Sequence, residues 1–289
     1  LTPFTYQRPA TLADAMTALA AGGPGTKILA GGQSLLLALK ERQARPSGLV
    51  AIRNLPELQG VSHLSDGALR IGPATTYATL SRLTLAGWHG ELAAVAGNLA
   101  DRSVRNIGTI GGGVCQADPR YDMPTFLSGA AASFTLASAR GEREVSTDAF
   151  FNPLGGTTIA ADEILTAITL PPLSQVSALA FEKFCFRSFE AAIVNFAGSV
   201  KLDESGQIAK IRFAAGGIAN APVLALQTAE SLFGTSIAAL DVEDVAAKIS
   251  NEVMPPETAS DRRRQYQAEL IISLAQRALH KFSQAGAKP

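Results

Sequence analysis

The chain has 289 residues, with 25 basic and 25 acidic side chains that cancel to a formal charge of zero. That balance leaves no electrostatic footprint for nucleic acid or an anionic membrane, and both are excluded as expected partners. With 47% hydrophobic residues the chain can bury a large core, and its length favours two domains, or one domain with subdomains.

The first nine residues, Leu1 to Pro9, lack the charged and apolar regions of a signal peptide, and no stretch has eighteen uninterrupted apolar residues. A soluble cytoplasmic protein without a membrane span is expected. Thr11-Leu12-Ala13-Asp14 resembles a capping box with aspartate in place of glutamate. Leu12, Ala15, Met16 and Leu19 then recur at helical spacing, which predicts a helix up to Gly22-Gly23. A strand over 27–30, a helix over 35–42 ending before Pro46 and a strand over 49–52 complete an α-β-α-β opening. After Asn54-Leu55-Pro56 a strand is predicted over 68–72 and a helix over 77–85. Helices over 92–99 and 126–132 follow, then strands at 134–136, 144–145 and 164–170.

Pro171-Pro172 punctuates the chain, and the domain boundary is placed there. Beyond it come strands over 179–186, 191–202 and 208–215, with Asp203-Glu204-Ser205-Gly206 as the turn between the last two. Helices are predicted over 224–233, 242–253 and 261–282, so the C-terminal domain is a small sheet backed by helices. The predicted division is 1–172, with subdomains of about 1–55 and 56–172, and 173–289.

Two glycine-rich blocks stand roughly eighty positions apart: Ala30-Gly31-Gly32-Gln33-Ser34 and Thr109-Ile110-Gly111-Gly112-Gly113. Glycine tolerates positive φ and lets the backbone approach a ligand closely, so consecutive N–H groups can converge on an anion. The first block sits between a predicted strand and a predicted helix, an arrangement suited to phosphate. The alternative for it is an ordinary tight turn. The second, within Val104 to Gly113, is too long and too rich in glycine for a simple hairpin. Together they point to two loops closing on one extended phosphate-bearing ligand. Neither has the G-x-G-x-x-G or G-x-x-x-x-G-K-[ST] spacing.

Cys115 and Cys185 form no C-x-x-C pair, and His63, His89 and His280 lie far apart. Neither an iron–sulfur cluster nor a metal site is expected in this chain, and Cys115 reads as a small core filler.

The first block, the run from Val104 through Gly112 and the following Ala117-Asp118-Pro119-Arg120-Tyr121-Asp122-Met123-Pro124 resemble the FAD-binding medium subunit of molybdenum hydroxylases, the xanthine and carbon monoxide dehydrogenase family. The resemblance extends over nearly the whole chain. It includes Asp162-Glu163-Ile164-Leu165, Glu182-Lys183-Phe184-Cys185-Phe186-Arg187 and the arginine-rich segment Arg262-Arg263-Arg264-Gln265-Tyr266. It implies an α+β protein: a two-subdomain FAD-binding fold of the vanillyl-oxidase (PCMH) class, then a C-terminal α+β domain with a small antiparallel sheet and helices.

By that resemblance, the backbone of Ala30, Gly31, Gly32, Gln33, Ser34 and Leu35 would cradle the pyrophosphate of a non-covalent FAD, with Lys27 nearby to offset its charge. Gly108, Thr109, Ile110, Gly111, Gly112 and Gly113 would line the other side. Asp122 matches an acidic residue that accepts from sugar or ribityl hydroxyls, the alternative being a helix N-cap. Ile164 or Leu165 would pack by the ring through its backbone. Lys183 resembles a lysine at the flavin pyrimidine edge, the alternative being a solvated strand lysine. Glu190-Ala191 departs from the family's acidic-then-aromatic pair, which leaves one ring face open or covered by Phe189. The inserted cysteine cluster of the 4-hydroxybenzoyl-CoA reductase branch is absent from the sequence.

The resemblance further implies an electron-transfer oxidoreductase subunit with no catalytic residue for substrate oxidation of its own. The molybdenum cofactor would sit on a large partner chain and 2Fe-2S clusters on a small one, in a dimer of heterotrimers. The alternative is a free-standing FAD oxidoreductase of the enolpyruvylglucosamine reductase type.

Overall fold

The computed structural model describes residues 3–187, 189–254 and 261–286; Leu1 and Thr2 of the N-terminal segment lie outside them. The first layer runs β1 (Thr5–Gln7), α1 (Leu12–Gly22), β2 (Thr26–Leu29), α2 (Leu35–Lys40) and β3 (Gly48–Ala51). Its strands are all parallel, in the order β1-β3-β2. Helix α1 begins where the Thr11 hydroxyl accepts the Asp14 N–H at 3.1 Å, and it packs Ala15 and Leu19 into a core shared with Val50 and Ile52. Helix α2 stops at Lys40, short of the predicted end, because Arg42 turns to φ 62 and leaves helical space.

The second layer contains β4 (Val61–His63), β5 (Leu69–Ile71), α3 (Tyr77–Leu80), α4 (Gly90–Gly97), α5 (Arg102–Ile107), α6 (Ile110–Gln116), α7 (Asp122–Gly129), β6 (Ser133–Ser138), β7 (Gly141–Ser146), α8 (Thr147–Phe150) and β8 (Ile164–Leu170). Its five-stranded sheet has the order β4-β5-β8-β6-β7, with antiparallel neighbours throughout. Phe126, Phe134 and Phe150 are fully buried at its centre. The predicted helix over 77–85 shrinks to α3, because Leu83 and Leu85 reach the core from an irregular turn that mimics helical spacing.

The third layer comprises β9 (Ala178–Phe184), β10 (Val194–Leu202), β11 (Ile208–Gly216), β12 (Val223–Leu224), α9 (Leu226–Ser231), α10 (Val242–Val253) and α11 (Arg262–Gly286). The sheet order is β12-β11-β10-β9, all antiparallel. At the β10–β11 turn, Asp203 Oδ1 accepts the N–H groups of Ser205 and Gln207, each at 2.9 Å, and Gly206 supplies φ 76. Helix α11 buries Ile271, Leu274, Ala278 and Phe282 in one core with Phe196 and Phe213.

Helix α7 packs on β10 and β11, and all eight of its residues are buried. A β-carbon on Gly129 would stand 2.4 Å from that of Ala197, so only glycine permits this approach. Ser199 Oγ donates to the Gly129 carbonyl at 2.7 Å and Arg212 Nε to that of Ser128 at 2.6 Å. The helix starts at Asp122, four residues before the predicted start, since Pro124 falls in the first turn where its missing N–H costs nothing. This docking carries Asp122 against the third layer.

Candidate functional site

A cavity of about 570 Å³, within the usual range for ligand sites, is lined from all three layers. Its walls take Lys27 to Leu35 from the end of β2 to the start of α2, Gly108, Thr109 and Gly111 to Gly113 at the start of α6, and the Thr157–Leu165 region. Asp122 and Lys183 complete it. Every residue the sequence singles out for the site reaches this wall except Ile110, which is fully buried in the core of the second layer. As the first residue of α6, Ile110 points inward.

The first block is an open cradle. Among the described residues, none accepts a hydrogen bond from the backbone N–H of Gly32, Gln33, Ser34 or Leu35. Four such donors on a cavity wall call for an acceptor. Gly32 adopts φ 72, and a β-carbon on Gly31 would lie 2.3 Å from the Ile107 carbonyl oxygen, so the two glycine blocks touch backbone to backbone. The exposed Lys27 places a cation on the same wall.

The second block differs from its expected form as an anion-binding loop: it is the first turn of α6, and the N–H groups of Ile110 to Gly113 are already used. The Thr109 hydroxyl accepts from Gly112 N at 3.1 Å, while Ile110 N and Gly111 N donate to the carbonyls of Thr75 and Pro73 at 3.0 and 2.9 Å. Its glycines provide clearance instead. A β-carbon on Gly113 would come 2.1 Å from Tyr77 Oη. Tyr77 is buried, and desolvation drives its phenol pKa far up, so the hydroxyl remains a neutral donor and acceptor.

Asp122 is 3% exposed. Lys183 Nζ donates to its Oδ2 at 2.8 Å and Asn195 Nδ2 to its Oδ1 at 3.3 Å. Burial raises the Asp122 pKa, with Lys183 and then Asn195 opposing the rise. The N-cap alternative fails, because Asp122 lies inside the helix and Tyr121 takes the cap position. The solvated-lysine alternative fails as well, since the Lys183 side chain is only 14% exposed.

Cys115 is not a core filler. Helix α6 exposes it on the cavity wall, while the surrounding protein desolvates its thiol and pushes the pKa up to about 12. It is therefore protonated at neutral pH and a poor nucleophile.

Several wall residues carried no sequence signal. Tyr77 looks like any helical aromatic, yet it backs the second block. Tyr121, unremarked within the Asp118-to-Asp122 run, meets Ser34 hydroxyl to hydroxyl at 3.1 Å and ties the first block to α7. Opposite, Glu163 anchors the 157–165 wall. Arg143 Nε and Nη2 donate to its two oxygens at 2.7 and 2.8 Å, and Ala160 N donates at 2.8 Å. Ile164 and Leu165 follow it on the cavity wall with buried side chains.

Residues 2–173 match the family model described as the FAD binding domain in molybdopterin dehydrogenase, and residues 180–282 match the CO dehydrogenase flavoprotein C-terminal domain. The chain is 32% identical to the glyceraldehyde dehydrogenase medium chain of Sulfolobus acidocaldarius, over 97% of this chain and 98% of that one. It is 29% identical to the xanthine dehydrogenase FAD-binding subunit of Escherichia coli O157:H7, over 98% of each. Among solved structures, carbon monoxide dehydrogenase from Hydrogenophaga pseudoflava superposes with a TM-score of 0.87 at 28% identity, over 99% of each chain.

The fold and site thus define a FAD-binding oxidoreductase subunit. The chain belongs to the FAD-binding medium subunits of the molybdenum hydroxylases, the xanthine and carbon monoxide dehydrogenase family. Among its described residues no helix is long and apolar enough to cross a membrane, and no group of metal-ligating side chains occurs.

Proposed function

We propose that this chain carries electrons between a 2Fe-2S partner subunit and an external acceptor through a non-covalent FAD, while substrate is oxidised at a molybdenum cofactor on a large partner. The observation that carries this reading is the cradle of four unpaired N–H donors at Gly32 to Leu35, facing a cavity with Lys27 on its wall. The donor set fits a pyrophosphate. Bound there, FAD supplies a two-electron carrier that can be filled one electron at a time.

In this assignment the backbone of Ala30 to Leu35 holds the pyrophosphate and Lys27 offsets its charge. Gly108, Thr109 and Gly111 to Gly113 give the ligand room. Asp122 accepts two hydrogen bonds from the protein and keeps further lone pairs for ligand hydroxyls. Lys183, held in place by Asp122, sets a positive charge where negative charge on a reduced ring would be stabilised. Ile164 and Leu165 close one side through their backbone. The chain divides functionally at 172/173, with FAD held by the first part and Lys183 contributed by the second.

The relatives' names support a complex of medium, large and small chains, which we propose to be a dimer of heterotrimers. Their substrates differ, from glyceraldehyde to xanthine, in keeping with a substrate site on another chain.

Anaerobic bleaching tests the proposal. Loaded with FAD, the isolated chain is expected to stay yellow with N-heterocycles, aldehydes or carbon monoxide, while the assembled complex bleaches with its proper substrate. Rapid bleaching of the isolated chain by a small organic donor, or by NADH with turnover of an enolpyruvyl compound, would favour a free-standing flavoenzyme. Acid precipitation is expected to release the flavin into the supernatant; yellow colour in the pellet would refute non-covalent binding.

A further inference from the structure

Lys183 on β9, Asn195 on β10 and Gly216 on β11 stand directly opposite one another in the sheet of the third layer. Opposed residues of antiparallel strands send their side chains to one face, and on this face Lys183 and Asn195 both meet the first residue of α7. Lys183 and Asp122 line the cavity, whereas Asn195 is fully buried and lines none of it.

The Asn195 amide has a single workable orientation. Its Nδ2 donates to the Tyr121 carbonyl at 3.2 Å and to Asp122 Oδ1 at 3.3 Å, so turning the amide over would set its oxygen against two acceptors. Its Oδ1 has no partner among the described residues. Gly216 makes the room for that oxygen, since a β-carbon there would stand 2.3 Å from it. A buried acceptor without a partner weakens a fold. What the amide contributes therefore lies on its donor side, at Tyr121 and Asp122, which both line the cavity.

The backbone before α7 does not depend on this amide. The Pro119 carbonyl accepts from Gly217 N at 2.9 Å and the Arg120 carbonyl from Ala192 N at 3.1 Å, and both bonds survive when Asn195 is replaced. The Asp122 carboxylate is different. Lys183 holds its Oδ2 at 2.8 Å, and among the described residues Asn195 alone fixes its Oδ1. Without that second bond the carboxylate can turn while Oδ2 stays on Lys183.

We propose that Asn195 is a positioning residue of the FAD site that acts through Asp122. Its amide fixes the plane of the carboxylate, and with it the direction in which the remaining lone pairs meet ligand hydroxyls. This rests on the FAD reading above. The same amide holds the carbonyl of Tyr121, whose hydroxyl lies 3.1 Å from that of Ser34, so the hydroxyl-binding carboxylate and the anion-binding cradle keep one spacing.

The test is a double-variant cycle on the full chain. Asn195→Leu removes the donor with little change in volume, Asp122→Ala removes the group it acts on, and a third chain carries both changes. FAD affinity is measured by equilibrium dialysis, which follows weak binding, and apoprotein stability by thermal melting. Asn195→Ser is carried through the same cycle and decides the outcome if the leucine variant does not fold.

Asn195→Leu is expected to bind FAD about tenfold more weakly than the parent, the loss of one hydrogen bond to a charged group. Its melting temperature should fall far less than that of Asp122→Ala. In the Asp122→Ala chain the same change is expected to weaken binding by no more than about twofold, because nothing is left to position. Equal losses in the two backgrounds would overturn the proposal by showing a general effect on the fold, and undiminished affinity in Asn195→Leu would overturn it as well. Either result leaves the FAD assignment standing. A parent chain that takes up no FAD would refute the assignment on which the proposal rests.

Discussion

Lys183 Nζ lies 2.8 Å from Asp122 Oδ2, and this buried ion pair joins the sheet of the third layer to the first residue of α7 in the second. Both partners also line the cavity. One contact therefore serves fold and site together, which changes what substitution at Asp122 is expected to do. Removing one member of a buried pair strands the other charge and costs about 3–5 kcal/mol. Asp122→Ala is expected to lower the apoprotein melting temperature markedly as well as weaken FAD binding. Asp122→Ala combined with Lys183→Met should recover much of the stability and none of the affinity. Thermal melting of the apoprotein alongside FAD titration separates the two effects; an apoprotein of undiminished stability in Asp122→Ala would show that the pair is not structural.

The sequence makes the cavity legible but not its internal division of labour. Gly31 and Gly32 announce themselves because positive φ and close approach restrict both positions to glycine, and the structure uses them so. The second block looks the same in sequence, yet the N–H groups of Ile110 to Gly113 are consumed by Thr75, Pro73 and Thr109. For Ile110 and Gly111 the partners lie more than thirty positions away, and no local pattern records that. Helix α5 was hidden for a different reason: none of its residues is buried, so it lacks the apolar periodicity by which helices are recognised. Tyr77 and Tyr121 acquire their roles only from contacts across the chain.

Gly113 is held to glycine by one atom. Its β-carbon would fall 2.1 Å from Tyr77 Oη but 3.4 Å from Tyr77 Cζ, so the clash is with the hydroxyl. Overpacking of this kind costs about 1–3 kcal/mol. Gly113→Ala is expected to lower stability by that amount and to reduce FAD uptake, and Gly113→Ala with Tyr77→Phe to restore the melting temperature toward that of Tyr77→Phe alone. A double variant no more stable than Gly113→Ala would locate the restriction elsewhere.

Gly32 is restricted by its backbone as well as by space. At φ 72 an L-residue pays about 1–2 kcal/mol, and the new β-carbon would meet Leu36 Cδ1 at 2.9 Å, a flexible side-chain end that can give. Gly32→Ala is therefore expected to cost the apoprotein little beyond the backbone strain. It should cost FAD more, since relaxing that strain turns the Gln33 and Ser34 N–H groups away from a common acceptor. Isothermal titration of FAD against the variant checks this; unaltered affinity would mean that the cradle is not where the anion binds.

Acid should destabilise the chain in two separable steps. His89 is fully buried, its Nε2 2.8 Å from the Pro171 carbonyl and its Nδ1 without a partner among the described residues. Desolvation lowers its pKa, so below about 6.5 the unfolded chain takes up a proton that the folded chain refuses. Stability must fall from that pH downward. Glu163 is held below the usual carboxylate range, first by its hydrogen bonds with Arg143. Its contribution is complete above the unfolded value of about 4.3 and is lost as pH drops through the lower folded value. The apoprotein melting temperature measured between pH 8 and about 3 should decline first below about 6.5 and steepen below about 4.3. His89→Gln, which keeps a donor toward Pro171, should flatten the first decline and leave the second, whereas Glu163→Gln should do the reverse and also loosen the 157–165 wall against FAD. A first decline that persists unchanged in His89→Gln would assign it to another group.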